Sequence, residues 1–93
     1  MSEPGQPYTL AIARSAARAL KQNLPEKVAA AVYEFITGAL LENPHRVGKK
    51  LAPPLAPAYS ARRGTYRVLY LIDEDTRRVQ VTAISHRADA YRT

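Results

Sequence analysis

Two hydrophobic periods divide this chain, and they restrict what it can fold into. From Val28 to Leu40, the apolar residues Val28, Val32, Phe35, Ile36, Ala39 and Leu40 recur three and four positions apart, which gathers them on one stripe of a helix. From residue 65 onward the period becomes two. Tyr66, Val68, Tyr70 and Ile72 alternate with Arg67, Leu69 and Leu71, and Val79, Val81 and Ala83 alternate with Gln80, Thr82 and Ile84. That is the pattern of strands with two unlike faces.

The punctuation between these runs sets the element order. Tyr8, Leu10 and Ile12 read as a first, half-buried strand. Ser15 is a candidate N-cap for a helix to about Asn23, with Ala16, Ala19 and Leu20 on one side. Leu24-Pro25 ends that helix, and Pro25 suits the first turn of the next. Asn43-Pro44 stops the second helix. Gly38 lies inside it, where glycine costs about 1 kcal/mol against alanine unless close packing requires it. Residues 45–58 form an extended connector, because Pro53, Pro54 and Pro57 exclude a helix, and Leu51 and Leu55 are placed to pin it to the body. A strand from Tyr59, a tight turn at Gly64, a strand over Thr65–Ile72, a polar turn over Asp73–Arg77 and a strand over Arg78–Ser85 complete the order. The sequence therefore predicts an α+β domain spanning 1–93, with residues 1–7 loose. Its twisted antiparallel sheet carries an N-terminal helical hairpin on one face and leaves the other face open.

Charge is distributed unevenly over this frame. The chain carries +6 at neutral pH. Residues 1–45 balance Arg14, Arg18, Lys21 and Lys27 against Glu3, Glu26, Glu34 and Glu42, so residues 46–93 carry the whole excess. Such asymmetry points to a polyanionic partner: RNA, DNA or an acidic protein. Arg62, Arg63 and Arg67 fall within six positions, with Tyr59, Tyr66 and Tyr70 among them. Guanidinium groups held on strands suit phosphate, since each planar fork donates two hydrogen bonds to one anion.

Other chemistries find little support. The chain has no cysteine, so it has neither disulfides nor a Cys-based zinc site. No apolar run is long enough for a transmembrane helix, and the N-terminus has no signal-peptide pattern. These features predict a cytoplasmic protein with no membrane partner. Asp73, Glu74 and Asp75 read as turn residues rather than a metal site. His45 reads as an exposed loop residue, and no phosphate loop or Ser/His/Asp triad is present. No cofactor is expected.

The motifs Gly48-Lys49-x-Leu51, Tyr59-x-x-Arg62, Gly64-x-Tyr66-Arg67-Val68-x-Tyr70 and Ile84-Ser85-His86-Arg87 with Tyr91 resemble the RelE family of bacterial toxins, in the RelE/ParE superfamily. The likeness is close to the RelE-type mRNA interferases of mycobacteria and covers nearly the whole chain. It implies a toxin of a type II toxin–antitoxin system that enters the ribosomal A site and cuts the message there. It also implies a RelB-like antitoxin as partner, with operator DNA bound only together with that antitoxin. Carried over by position, Arg67 matches the family's central-strand arginine, Arg62 a basic residue on the preceding strand, Arg87 the arginine after the last strand, and Tyr91 the C-terminal tyrosine. Ser60 stands where well-studied members have a second basic residue. The same superfamily includes ParE-type poisons of DNA gyrase, and a non-catalytic operator-binding role is a third reading.

Cleavage by the ribose 2′-hydroxyl needs cations on the phosphorane, a base and an acid. Arg62, Arg67 and Arg87 supply positive charge without a metal but cannot act as bases. That leaves His86, Tyr91, or the RNA and ribosome for proton transfer, with Tyr91 preferred as a stacking platform. Arg46, Lys49, Lys50, Arg63, Arg77 and Arg78 are the expected further contacts to RNA and ribosome.

Overall fold

A computed structural model describes residues 7–86. The strands are β1 (Thr9–Ile12), β2 (Lys49–Lys50), β3 (Tyr59–Arg63), β4 (Tyr66–Asp73) and β5 (Arg78–His86). The helices are α1 (Arg14–Arg18), α2 (Glu26–Phe35) and α3 (Pro44–Val47). Both α1 and α2 run on into wider π-type turns, at Ala19–Asn23 and Ile36–Leu40. In the second of these, Thr37 Oγ1 donates to the Tyr33 carbonyl 3.0 Å away, a side-chain bond of the kind that loosens a helical turn.

The five strands form one sheet in the order β1-β5-β4-β3-β2. The expected α+β architecture is present, with one difference: β1 runs parallel to β5, so the sheet is mixed. Short turns force β3, β4 and β5 to alternate direction, whereas β1 is separated from β5 by the helices and the other three strands and is under no such constraint. The helices cover one face. Val32, Ile36 and Leu40 from α2 and its extension are wholly buried together with Val68, Tyr70, Val79 and Val81 from the sheet. Each such side chain contributes about 2 kcal/mol.

Several local expectations are corrected. Ser15 does not cap α1, whose N-cap is Ala13; its Oγ donates to the Thr82 carbonyl, 2.8 Å away. That carbonyl belongs to a bulge. Leu69 pairs with Ala83 but Tyr70 pairs with Val81, which leaves Thr82 as the extra residue. The bulge reverses the alternation beyond it, so Ile84 rather than Ala83 joins the core. Gly38 meets nothing that a side chain would disturb, so close packing does not explain it. The connector is more structured than its prolines suggest, since it includes α3 and β2. Leu55 is an exposed residue and pins nothing.

Candidate nucleic-acid interface

Register decides which basic residues meet. Arg62 and Arg67 lie directly opposite one another across β3 and β4. Directly opposite residues share a face, with Cβ atoms about 5 Å apart. Val68 and Ala61, the neighbouring pair, face the helices, so Arg62 and Arg67 face the open side. Ser60 and Lys49 form the next pair on that side. Lys49, Lys50, Ser60, Arg62 and Arg67, with Val47 and Leu51, line one depression of about 540 Å³.

The edge of this depression is fixed from beneath. The Tyr70 side chain is fully buried, and its hydroxyl donates to the Pro44 carbonyl at 2.6 Å. The Gly48 N–H in turn donates to the Tyr70 hydroxyl oxygen. Burial pushes the Tyr70 pKa up to about 12 from 10.0, with the Gly48 bond acting in the opposite direction. Gly48 is needed for this approach, since a Cβ there would stand 2.2 Å from the Tyr70 hydroxyl and 2.8 Å from the Ser60 carbonyl. The hydroxyl thus ties α3 and β2, which carry Lys49, to β4, which carries Arg67.

The remaining expected contacts do not converge here. Tyr59, Tyr66 and Tyr70 have the opposite parity from Arg62 and Arg67 and belong to the helix-covered side, where Tyr59 and Tyr70 stack at 5.5 Å. His86 pairs with Tyr66, and their rings meet edge to face at 5.3 Å. The register therefore separates His86 from Arg62 and Arg67, and a His86 base beside them does not fit. Arg63 lines a second groove, against Val28, Ala31 and Val32 of α2. Arg46 is exposed on α3. Arg77 stacks its guanidinium 4.2 Å above the Tyr8 ring. Arg78 pairs with Asp73 at the far end of the sheet, roughly 20 Å along the strand from the Ser85 position opposite Arg67. Arg87 and Tyr91 lie outside the described residues.

One cluster was missed by sequence reasoning. His45 lies in α3, where its Nε2 bonds the Glu74 carboxylate and its Nδ1 lies 3.4 Å from the Tyr59 hydroxyl. Tyr8 donates to the same Glu74 oxygen at 2.8 Å. The His45 bond, followed by that of Tyr8, lowers the Glu74 pKa, while burial raises that of Tyr8. Asp73 plays the turn role expected of it, with its Oδ1 accepting from the Asp75 and Thr76 amides. No local signal marks the His45–Glu74 pair, because its members are 29 residues apart.

The fold and its basic face define a class that comparison with known proteins makes specific. Residues 10–91 match the family described as ParE toxin of type II toxin–antitoxin system, parDE. The chain belongs to this RelE/ParE family of type II toxin–antitoxin toxins, and within it to the RelE type. It is 54% identical over 86 residues to Toxin RelE of Mycobacterium tuberculosis, covering 92% of this chain and 88% of that protein. It is 49% identical over 86 residues to Toxin RelG of the same organism, covering 92% and 98%. The toxin–antitoxin complex RelBE2 of M. tuberculosis contains a chain that superposes with a TM-score of 0.83 at 48% identity, covering 89% of this chain and 94% of that one. The isolated Escherichia coli RelE toxin shares the fold, with a TM-score of 0.70 at 20% identity, covering 85% and 83%. Among the described residues, no helix is long and apolar enough to cross a membrane.

Proposed function

We propose that this toxin is a ribosome-dependent, metal-independent endoribonuclease that cuts mRNA in the A site by attack of the ribose 2′-hydroxyl. The observation that carries this reading is the Arg62–Arg67 pair. Like charges directly opposite on a sheet oppose folding, so placing two guanidinium groups there favours a function that uses them. Beside Lys49 on a water-facing surface, they suit a phosphate that gains negative charge as the 2′-oxygen attacks. Arg87 and Tyr91 enter the same proposal by resemblance alone, as a further cation and a stacking ring. Because His86 faces away, proton transfer falls to Tyr91 or to groups of the RNA and ribosome. Lys50 in the lining of the depression and Arg46, exposed on α3, extend the contact to RNA or ribosome. Arg63, Arg77 and Arg78 would touch the ribosome outside the cleavage site.

Inducing the toxin and mapping transcript ends tests the reading. Cuts confined to translated frames are expected. Intact transcripts with an SOS response would replace it with gyrase poisoning, and intact transcripts without one with a purely operator-binding role.

The partner proposed is a RelB-like antitoxin, short and bearing an acidic segment to meet the basic half of the chain, with operator DNA bound by the pair. The mycobacterial relative solved as a toxin–antitoxin complex supports this. Co-expression should restore growth, and the two chains should coelute. The proposed site of action is the cytoplasm.

A further inference from the structure

Ser60 is unlike the other polar residues of the basic depression. It is 8% exposed, and its Oγ meets no hydrogen-bond partner among the described residues. Buried hydroxyls nearly always find one. Its register, opposite Leu69 on one side and Lys49 on the other, places it on the face of Arg62 and Arg67, and it lines the same depression.

The chemistry of the lining narrows what could complete it. Lys49, Lys50, Arg62 and Arg67 are the other polar side chains there, and all four only donate hydrogen bonds. A phosphate satisfies them, because it only accepts. It leaves Ser60 as the one lining side chain able to accept a hydrogen bond. A ligand that matches the whole set therefore carries an anion and, within reach of it, a hydroxyl with a hydrogen to give. A ribonucleotide has both, since its 2′-hydroxyl neighbours the 3′-phosphate. A deoxyribonucleotide has only the anion.

We propose that Ser60 Oγ accepts the hydrogen bond of the ribose 2′-hydroxyl beside the phosphate held by Arg62 and Arg67, which makes Ser60 the specificity-determining residue for ribose. This rests on the ribonuclease reading of the depression. Lys49 and Arg62 are exposed residues on the same face, while Ser60 Oγ itself is enclosed, so the sugar reaches it only as side chains of the depression move aside. Ser60 takes no proton from the 2′-hydroxyl. It holds that hydroxyl's hydrogen, so that the oxygen's lone pair is left to face phosphorus. The position filled by a basic residue in well-studied relatives is thus given over to recognition of the sugar, while Lys49 on the adjacent strand brings the positive charge.

The test compares a short single-stranded RNA with the same sequence bearing 2′-fluoro sugars, which accept but cannot donate, by titration into the isotopically labelled full chain. Wild type should bind the RNA roughly tenfold more tightly, the effect of one hydrogen bond. Ser60→Ala should bind the RNA as weakly as the fluoro strand and bind the fluoro strand as wild type does. Its thermal midpoint should not fall, since no hydrogen bond within the fold is lost. A preference for RNA that survives in Ser60→Ala, or its absence in wild type, overturns the proposal. Cleavage of ribosome-bound message, measured in parallel, reads the parent reading separately. A wild type that fails to cut while Ser60→Ala abolishes the RNA preference would remove the nuclease reading and keep the sugar contact. A wild type that cuts while the preference is unaffected by Ser60→Ala would do the reverse.

Discussion

Replacing Tyr70 by phenylalanine should destabilise the toxin at neutral pH through lost hydrogen bonds, and the difference should shrink at high pH, where the buried phenol would have to ionise. The ring is fully buried and would stay in place. The variant loses the bond to the Pro44 carbonyl, 2.6 Å long, and the one from the Gly48 N–H. Each buried group left without a partner costs about 1–3 kcal/mol, and partial relaxation places the sum at about 2–4 kcal/mol. For a domain of this size, that is a fall in thermal midpoint of about 10–25 °C. Burial raises the Tyr70 pKa to about 12 from 10.0. A folded-state pKa above the unfolded value gives stability that is fully present below pH 10 and lost as the pH rises from 10 to 12. Two pKa units correspond to about 3 kcal/mol. Urea unfolding of both proteins from pH 7 to 12 is the assay. The wild-type advantage should be full at pH 7 and should shrink between pH 10 and 12, because the variant has no phenol there to ionise. Stability curves that run parallel through that window, or a loss at pH 7 below about 0.5 kcal/mol, would refute the role given to this hydroxyl.

Other perturbations test other parts. Arg67→Ala should stay soluble with stability within about 1 kcal/mol of wild type and lose cleavage by at least about a hundredfold; growth arrest retained at equal soluble expression would contradict it. Gly48→Ala forces a Cβ against the Tyr70 hydroxyl and the Ser60 carbonyl and should cost about 1–3 kcal/mol by urea unfolding. Combined with Tyr70→Phe it should cost less than the sum, since both variants damage one contact. Glu74→Gln should flatten the acid limb of the stability curve. The folded-state pKa of Glu74 lies below its usual 4.5, so its contribution is present above that value and lost as the pH falls through the lower one. Acid titrations of the two proteins that superimpose would rule this out.

The two hydrophobic periods made the helices and the β3–β4 hairpin legible, and they placed Arg67 on the face opposite Tyr66, Val68 and Tyr70. The same parity already separated the tyrosines from the arginines, although their closeness in sequence suggested one surface. Alternation failed beyond Val81, because it holds only while a ladder is regular and Thr82 interrupts this one. The Asn43-Pro44 step ended the helical run that continues beyond α2 but also began α3, a function that proline serves equally well at a helix start. His45 and Glu74, and likewise Lys49 and Ser60, meet through strand register, which residue type does not announce.

The position of β5 has a consequence for biosynthesis. It is synthesised after the other four strands, yet it lies between two of them, pairing Arg78 with Thr9 on one side and with Asp73 on the other. A nascent chain that has released only β1 to β4 can close the local β3–β4 hairpin, but β1 has no neighbour and the Val79–Val81 part of the core is missing. Joining such distant segments is the slow, late step of assembly. The paired arginines can thus form early on an unsupported hairpin, while the platform that holds them waits for residues 78–86 to emerge. Release of β1 to β4 from the ribosome is therefore separated in time from completion of the sheet that holds the arginine pair.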